Sequence, residues 1–228
     1  MYEDWIKLQK DYLNNLESWE ISYLKQYTDG GHSLLRDVTL EFVTPFNWER
    51  FREKIARGEM NYYDDIFFNL SYLLRSHRIR PPKFLNKNFS VDNLKKWPSV
   101  FSNEDYKKAI MRIKSIIVNI IRRAPVTTQD MLLYRGTEDA YFVIQGTNEY
   151  SSPNIVSTSL SKRIALTFTK KETGCCLKII TVPEGTSALY IEPISEVEGE
   201  EEVLLLPDTK FIRQRDDDGK IYYMDISE

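Results

Sequence analysis

Apolar and aromatic residues recur at steps of three and four over the first half of the chain, a spacing typical of amphipathic helices. The first stripe starts at Trp5, ends at Tyr27 and is followed by Gly30-Gly31, so we predict one long helix that the two glycines stop. Its aromatic residues are predicted to pack in a core. Further predicted helices cover residues 47–57, 64–75 and 102–124.

From residue 132 onward the pattern changes to the alternation and short β-branched runs of strands. The predicted strands are 132–135, 155–158, 176–182, 188–191, 200–206, 210–215 and 221–226. A short helix is predicted over 161–171, and Asp218-Gly219 is predicted to form a hairpin turn. Helices first and strands later predict an α+β fold, with an N-terminal helical layer packed on a C-terminal mixed β core.

Length and composition fit a single domain over residues 1–228, mainly helical over 1–125 and mainly β over 126–228. The net charge of −3 provides no global positive field for nucleic acid. No apolar run approaches the roughly 20 residues of a membrane span, and the N-terminal residues lack the basic-then-apolar pattern of a signal peptide. We therefore expect a cytoplasmic protein without a membrane partner.

Two residue types that often carry chemistry are scarce. The only cysteines, Cys175 and Cys176, are adjacent and precede aliphatic residues, which predicts buried strand positions rather than a thiol site. The only histidines, His32 and His77, have polar surroundings, so we expect neither a metal site nor a histidine-based triad. A basic loop with aromatic residues at 75–89 could hold nucleic acid or an acidic partner, but such loops are more often solvated connectors.

An acidic run directly before an aliphatic strand is the most informative local pattern. Glu200, Glu201 and Glu202 precede four aliphatic residues that Pro207 ends. Because side chains alternate along a strand, Glu200 and Glu202 are predicted to share one face and Glu201 to point to the other. A solitary acidic run is normally a solvated surface, but two carboxylates entering a core are costly unless a cation or a reaction uses them. We therefore predict a functional site here.

Two other polar groups stand at the ends of predicted strands: Arg135, and the triplet Ser157-Thr158-Ser159. In chain order, the arginine, the Ser-Thr-Ser and the Glu-x-Glu of residues 200–202 resemble the signature of mono-ADP-ribosyltransferases, in particular the bacterial exoenzyme branch of clostridial toxins and phage enzymes. The resemblance covers about residues 132–211, with a weaker match at 27–36. Each fragment alone is unspecific, but their common order is not.

The resemblance implies a split pair of small sheets with NAD between them, and cleavage of the nicotinamide–ribose bond followed by transfer of ADP-ribose to an acceptor. NAD would serve as substrate, without a metal. Glu202 would be the carboxylate that stabilises the positive charge developing on the ribose, oriented by Ser157. Arg135 would bind the phosphates, and Gly136 would let the backbone approach the nicotinamide amide. The less favoured alternative for Arg135 is a salt bridge at the strand end.

Further cofactor contacts follow from the same resemblance. Thr158 and Ser159 would support the strand end at the cofactor, although Ser-Thr-Ser by itself is often a turn. Phe168 stands where relatives carry an aromatic residue that stacks on nicotinamide, and a core-facing helix position is an equal alternative for it. Asn154 stands where some relatives contact the cofactor.

The resemblance relates Glu200 to the choice of acceptor. In the family, Glu at this position accompanies arginine acceptors, whereas Gln accompanies other side chains or nucleobases. A guanidinium is a poor nucleophile until a carboxylate orients it and helps to remove a proton. The loop at 192–199 would face the acceptor, and Val197 stands where relatives often carry Tyr or Phe.

The sequence thus predicts a monomeric mono-ADP-ribosyltransferase that modifies arginine on a protein, as a viral, phage or bacterial effector in a host cytoplasm. Three alternatives stay open at this point. Water could replace the acceptor, which gives an NAD glycohydrolase. Nucleic acid could be the acceptor, with the 75–89 loop as its binding surface. The chain could also be a binding module for NAD that has lost turnover.

Overall fold

The strand pattern predicted for the second half of the chain forms one mixed β-sheet. The computed structural model describes residues 2–28, 103–137, 143–144, 148–169, 176–195, 197–217 and 221–227. The predicted helices at 47–57 and 64–75, the Gly30-Gly31 stop, Cys175, the two histidines, the 75–89 loop and the Asp218-Gly219 turn lie outside these residues.

In the described part of the chain three helices come first, and strands follow with one short helix between them. The helices are α1 (Glu3–Asn14), α2 (Ser18–Gln26), α3 (Asn103–Arg123) and α4 (Lys162–Thr167). The strands are β1 (Met131–Thr137), β2 (Val143–Ile144), β3 (Glu149–Ser151), β4 (Val156–Ser159), β5 (Cys176–Val182), β6 (Ala188–Tyr190), β7 (Glu202–Leu205), β8 (Lys210–Asp217) and β9 (Ile221–Ser227). A 3-10 turn covers Glu192–Ile194.

The described strands hydrogen-bond in the single order β2-β3-β8-β9-β5-β1-β4-β7-β6. All pairs are antiparallel except β5 with β9, which is parallel. The α+β prediction with a mixed β core is confirmed. Strand β1 pairs with β5 over seven residues but with β4 only at Tyr134 and Ser159, so the strands β4, β7 and β6 join the others through a single residue pair.

The predicted first helix is broken into α1 and α2 at residues 15–17. Asn15 caps the end of α1, and its side-chain amide donates to the carbonyl of Asp11 at 2.7 Å. Side chains of this kind compete with helical backbone bonds, which explains why the apolar stripe continues while the helix does not.

The described chain divides into two compact units, Met1–Glu17 with Val118–Glu228, and Ser18–Ile117. In the second unit, α2 and the first part of α3 bury the apolar side chains of Tyr23, Leu24, Ile113 and Ile117. No described helix combines the length and the hydrophobicity that a membrane crossing needs.

The first unit has its core between α1 and the sheet. Trp5 is buried with apolar residues of seven strands, among them Leu133, Val156 and Val203. The buried Gln9 side chain donates to the carbonyl of Pro125 at 2.6 Å and accepts from the N–H of Tyr190 at 3.2 Å. Because Tyr190 lies in β6, these bonds hold the sheet edge next to β7.

Candidate active site

Three neighbouring strands bring the polar fragments of the sequence to one place. Strand β4 pairs antiparallel with β7, with Ser159 opposite Glu202 and Ser157 opposite Leu204. On its other side β4 pairs with β1, with Tyr134 opposite Ser159. Arg135 follows Tyr134 directly, so the arginine, the hydroxyl triplet and the last glutamate meet around the same end of β4.

Glu202 is the first residue of β7, and only 7% of its surface is exposed. The Ser157 hydroxyl donates a hydrogen bond of 2.5 Å to its Oε1. The pKa of Glu202 is raised to about 7, mainly by burial and also by the charges of Glu200 and Glu192, while the Ser157 bond and the charge of Arg135 act to lower it. The carboxylate is therefore desolvated, held in one orientation and poised between its two protonation states near neutral pH.

Arg135 joins the same arrangement from β1. Its Nη1 donates to the backbone carbonyl of Ser157. The backbone of Ser157 thus accepts from the arginine while its hydroxyl donates to Glu202, so one residue fixes both charged groups. A guanidinium keeps its charge and carries five donors, which suits it to phosphate oxygens.

The other two hydroxyls of the triplet bind backbone rather than solvent. Thr158 donates to the carbonyl of Val203, and Ser159 donates to the carbonyl of Glu200, each at 2.7 Å. Ser159 also accepts from the N–H of Ser161 at 2.9 Å. Both side chains are buried and hold β4 against the entrance of β7. The structure therefore gives them a positioning part, and direct contact with the cofactor stays a prediction.

The predicted strand at 200–206 begins at Glu202 instead, so the alternation argument for Glu200 and Glu202 is wrong. Glu201 has φ +49°, in the left-handed region, and an extended strand cannot pass through it. Glu200 therefore lies in the preceding loop and is half-buried. It still lies near the site, because its backbone carbonyl accepts from the Ser159 hydroxyl at 2.7 Å. Burial and the charge of Glu192 raise the pKa of Glu200, and the charge of Glu200 raises the pKa of Glu202.

Glu192 also belongs to this site. The sequence analysis placed it in the loop at 192–199 but predicted no role for its side chain. It begins the 3-10 turn, and its carboxylate accepts from the N–H of Gly199 at 2.6 Å and from the N–H of Glu201 at 2.7 Å. No spacing or motif marks such side-chain-to-backbone bonds across seven and nine residues.

Gly136 lies against α4. A Cβ at this position would stand 1.9 Å from the carbonyl oxygen of Ala165 and 3.0 Å from Thr169 Cγ2. The glycine is therefore required by the close approach of α4 to β1. Its predicted contact with nicotinamide is a separate matter that stays a prediction.

Two further predicted residues flank this region in sequence. Phe168 caps the end of α4 and is 53% exposed, so it does not pack in the core as the alternative held. Asn154 is buried, and among the residues that the structure describes its Oδ1 has no hydrogen-bond partner. An exposed aromatic ring and an unsatisfied buried carbonyl are both available to a ligand.

Comparison with known proteins identifies the arrangement. Residues 94–220 match the family model described as ADP-ribosyltransferase exoenzyme, which covers more than half of the chain. The chain belongs to this family. It is an ADP-ribosyltransferase of the toxin-like, mono-ADP-ribosylating class, with NAD as its substrate.

The transferase shares its fold with several proteins of known structure. The SpvB ATR domain of Salmonella is 18% identical, with 93% of this chain and 100% of that chain covered and a TM-score of 0.52. The catalytic domain of VahC from Aeromonas hydrophila is 15% identical, with the same coverage and a TM-score of 0.52. BECa, an ADP-ribosylating toxin of C. perfringens solved with NADH, is 10% identical, with 99% and 47% covered and a TM-score of 0.55. No curated relative matches the chain.

The site of the transferase contains no candidate metal centre in the ranges described above. No group of three His, Cys, Asp or Glu side chains there is arranged to hold an ion. What the described site does offer is a buried carboxylate beside a guanidinium, with a second carboxylate at the loop in front of it.

Proposed function

We propose that this transferase cleaves the nicotinamide–ribose bond of NAD with Glu202 as its charge-stabilising carboxylate, and transfers ADP-ribose to an arginine side chain of a protein. The observation that carries the proposal is the buried Glu202 carboxylate, oriented by Ser157 and accompanied by the nearby Glu200. The family supports a protein acceptor and a toxin-like role, and we place that acceptor in a host cell.

The reaction needs stabilisation of positive charge more than it needs an acid. As the bond between ribose C1′ and the pyridinium nitrogen breaks, nicotinamide takes the electron pair and leaves as a neutral molecule. Positive charge then develops on the ribose, and a fixed carboxylate beside it lowers the free energy of the transition state more than that of bound NAD. Glu202 suits this role because its environment is dry and its orientation is set before NAD binds.

Arg135 would bind the diphosphate of NAD. A guanidinium donates to two phosphate oxygens at once and stays charged over the whole working pH range. Since its Nη1 is held by the carbonyl of Ser157, the same residue that orients Glu202, the phosphate-binding and ribose-stabilising groups share one support. Phe168 and Asn154 would complete the nicotinamide end through stacking and through the free Oδ1.

Glu200 would select the acceptor. An arginine nitrogen becomes nucleophilic when it loses a proton. Burial and the charge of Glu192 raise the pKa of Glu200, which makes this carboxylate a better base than a solvated one. In the proposed step a guanidinium nitrogen bonds to ribose C1′ and its proton passes to Glu200. The carboxylate also attracts the positively charged acceptor electrostatically.

The test separates cleavage from transfer. Glu200→Gln is expected to reduce labelling of host proteins and of a small guanidino compound by about a hundredfold, while nicotinamide release into water changes only a few-fold, since Glu202 is untouched. Nicotinamide release and transfer of labelled ADP-ribose would be measured on the same preparations. Glu198→Gln removes an equal charge from an exposed position of the same loop and is expected to preserve both rates.

Two outcomes would contradict the assignment of arginine as the acceptor. One is unchanged labelling by Glu200→Gln, and the other is mass-spectrometric mapping of the modification to a different side chain or to nucleic acid. Nicotinamide release that no added acceptor changes would favour a glycohydrolase, in which water attacks the ribose.

The rate of cleavage is expected to rise with pH through about 7. Burial raises the pKa of Glu202 to about 7, and only its ionised form stabilises a positive ribose. The pH profile of kcat/KM for nicotinamide release reports this titration in the free enzyme. Ser157→Ala removes a hydrogen bond that lowers the pKa of Glu202, so its midpoint should move to higher pH. A flat profile, or a midpoint that Ser157→Ala lowers, contradicts the role of Glu202.

A further inference from the structure

Glu200 lies in a loop, yet its backbone is fixed on three sides. The N–H of Gly199 before it and the N–H of Glu201 after it both donate to the carboxylate of Glu192, at 2.6 and 2.7 Å. Its own carbonyl accepts from the Ser159 hydroxyl at 2.7 Å. A single carboxylate therefore binds the peptide groups on either side of the residue that we assign to the acceptor.

The two residues bound by Glu192 are also those with left-handed backbone in this loop. Gly199 has φ +83° and Glu201 has φ +49°. Glycine adopts this conformation freely, whereas a glutamate adopts it only where surrounding contacts enforce it. The paired bonds to Glu192 supply such contacts, and bonds to a charged acceptor are stronger than those between neutral groups.

Glu192 itself is held by the sheet. The N–H of Ile191, the residue before it, donates to the carbonyl of Glu202 at 3.0 Å and so continues the pairing of β6 with β7. Strand β7 therefore holds Ile191, and the carboxylate of the next residue, Glu192, holds the peptide groups around Glu200.

We propose that Glu192 is a positioning residue for transfer: its carboxylate fixes the loop at 197–201 so that Glu200 faces the acceptor beside Glu202. This inference rests on the proposed function of Glu200. It assigns Glu192 to the second half of the reaction, the attack of the acceptor. Glu202 keeps its own support from β7 and from Ser157, so Glu192 affects cleavage of NAD only through its charge, which raises the pKa of Glu202.

The structural half of this inference is testable without any activity. Amide hydrogen exchange of the full chain, followed over residues 197–203, should show protection at Gly199 and Glu201 in the wild type. Glu192→Ala is expected to accelerate exchange at these two amides roughly ten- to a hundredfold, as expected for the loss of charge-assisted hydrogen bonds, and to leave the β7 amides protected. Unchanged exchange at both amides overturns the proposal.

The functional half is a comparison of rates. In Glu192→Ala, transfer to a guanidino acceptor is expected to fall about ten- to a hundredfold, with a raised KM for the acceptor, while nicotinamide release stays within about threefold. Glu192→Gln keeps one carbonyl acceptor but turns an amide donor toward the other N–H, so its transfer rate should lie between those of Ala and wild type. Glu198→Ala, in the same loop with an exposed side chain, should resemble wild type in all three measurements.

The outcomes separate the two proposals. A parallel fall of release and transfer, together with a lower melting temperature in both Glu192 variants, would make Glu192 a structural residue only and overturn this inference. If wild type itself releases no nicotinamide or labels no guanidino acceptor, the proposed function fails, and the amide exchange of Glu192→Ala still decides whether Glu192 holds the loop.

Discussion

Glu202→Gln is expected to reduce nicotinamide release by roughly two to three orders of magnitude, the usual cost of removing a preorganised group that stabilises charge in the transition state. The amide matches the carboxylate in shape and can still accept the Ser157 hydrogen bond, so only the negative charge is lost. Release from NAD at saturating concentration measures this. Glu201→Gln alters the neighbouring exposed side chain and should stay near wild type.

The same variant has a stability signature that excludes misfolding as the cause. Burial raises the folded-state pKa of Glu202 to about 7 from 4.5, so its ionisation opposes folding. Below the unfolded-state value both states are protonated and nothing is gained; above about 7 the full cost applies. At pH 8, Glu202→Gln should therefore have a free energy of unfolding higher than that of wild type by at most about 3 kcal/mol, seen as a higher denaturant midpoint. This difference should vanish near pH 4. A variant that is inactive and less stable at pH 8 would contradict this account.

Gly136→Ala is expected to lower the free energy of unfolding strongly, although it adds only one methyl group. Its Cβ would lie 1.9 Å from the Ala165 carbonyl oxygen, and because that atom is backbone, no side-chain rotation relieves the overlap. Strand β1 or helix α4 has to shift, which typically costs about 1–3 kcal/mol or more. Arg135 is adjacent to the displaced residue, so NAD cleavage should fall as well.

Gly185→Ala separates overlap from backbone preference. Gly185 has φ +86° but open space around it, so its alanine variant incurs only the cost of left-handed backbone, about 1–2 kcal/mol. Denaturant midpoints and nicotinamide release of both variants would be compared. A Gly136→Ala protein as stable and active as wild type would show that α4 does not approach β1 this closely.

Periodicity predicted the elements that are long and amphipathic. Helix α3 and strand β5 lie where the apolar spacing placed them, because each buries one regular face or run. The short strands β2 and β3 were missed, since two or three residues carry no measurable period. The break after α1 was missed for the opposite reason, because the apolar stripe continues through it.

The site was predicted in its members more than in its geometry. Arg135, Ser157 and Glu202 were recognised from motifs, and the register of β4 with β7 explains why residues 45 positions apart meet. The left-handed Glu201 could not be predicted, since a non-glycine residue adopts that backbone only under tertiary contacts. Those contacts come from Glu192, which is one of several acidic residues in this loop. No sequence motif distinguishes it from the others.

The bonds from Gln9 to Pro125 and Tyr190 have a consequence for biosynthesis. Gln9 and Tyr190 are 181 positions apart. At translation rates of about 5–20 residues per second, the ribosome needs roughly 9–36 s to proceed from one to the other. During that time helix α1 has been made but its partner strand β6 has not, and Glu202 follows later still. The bond between Gln9 and Tyr190 can therefore form only after nearly all of the β-sheet has been synthesised.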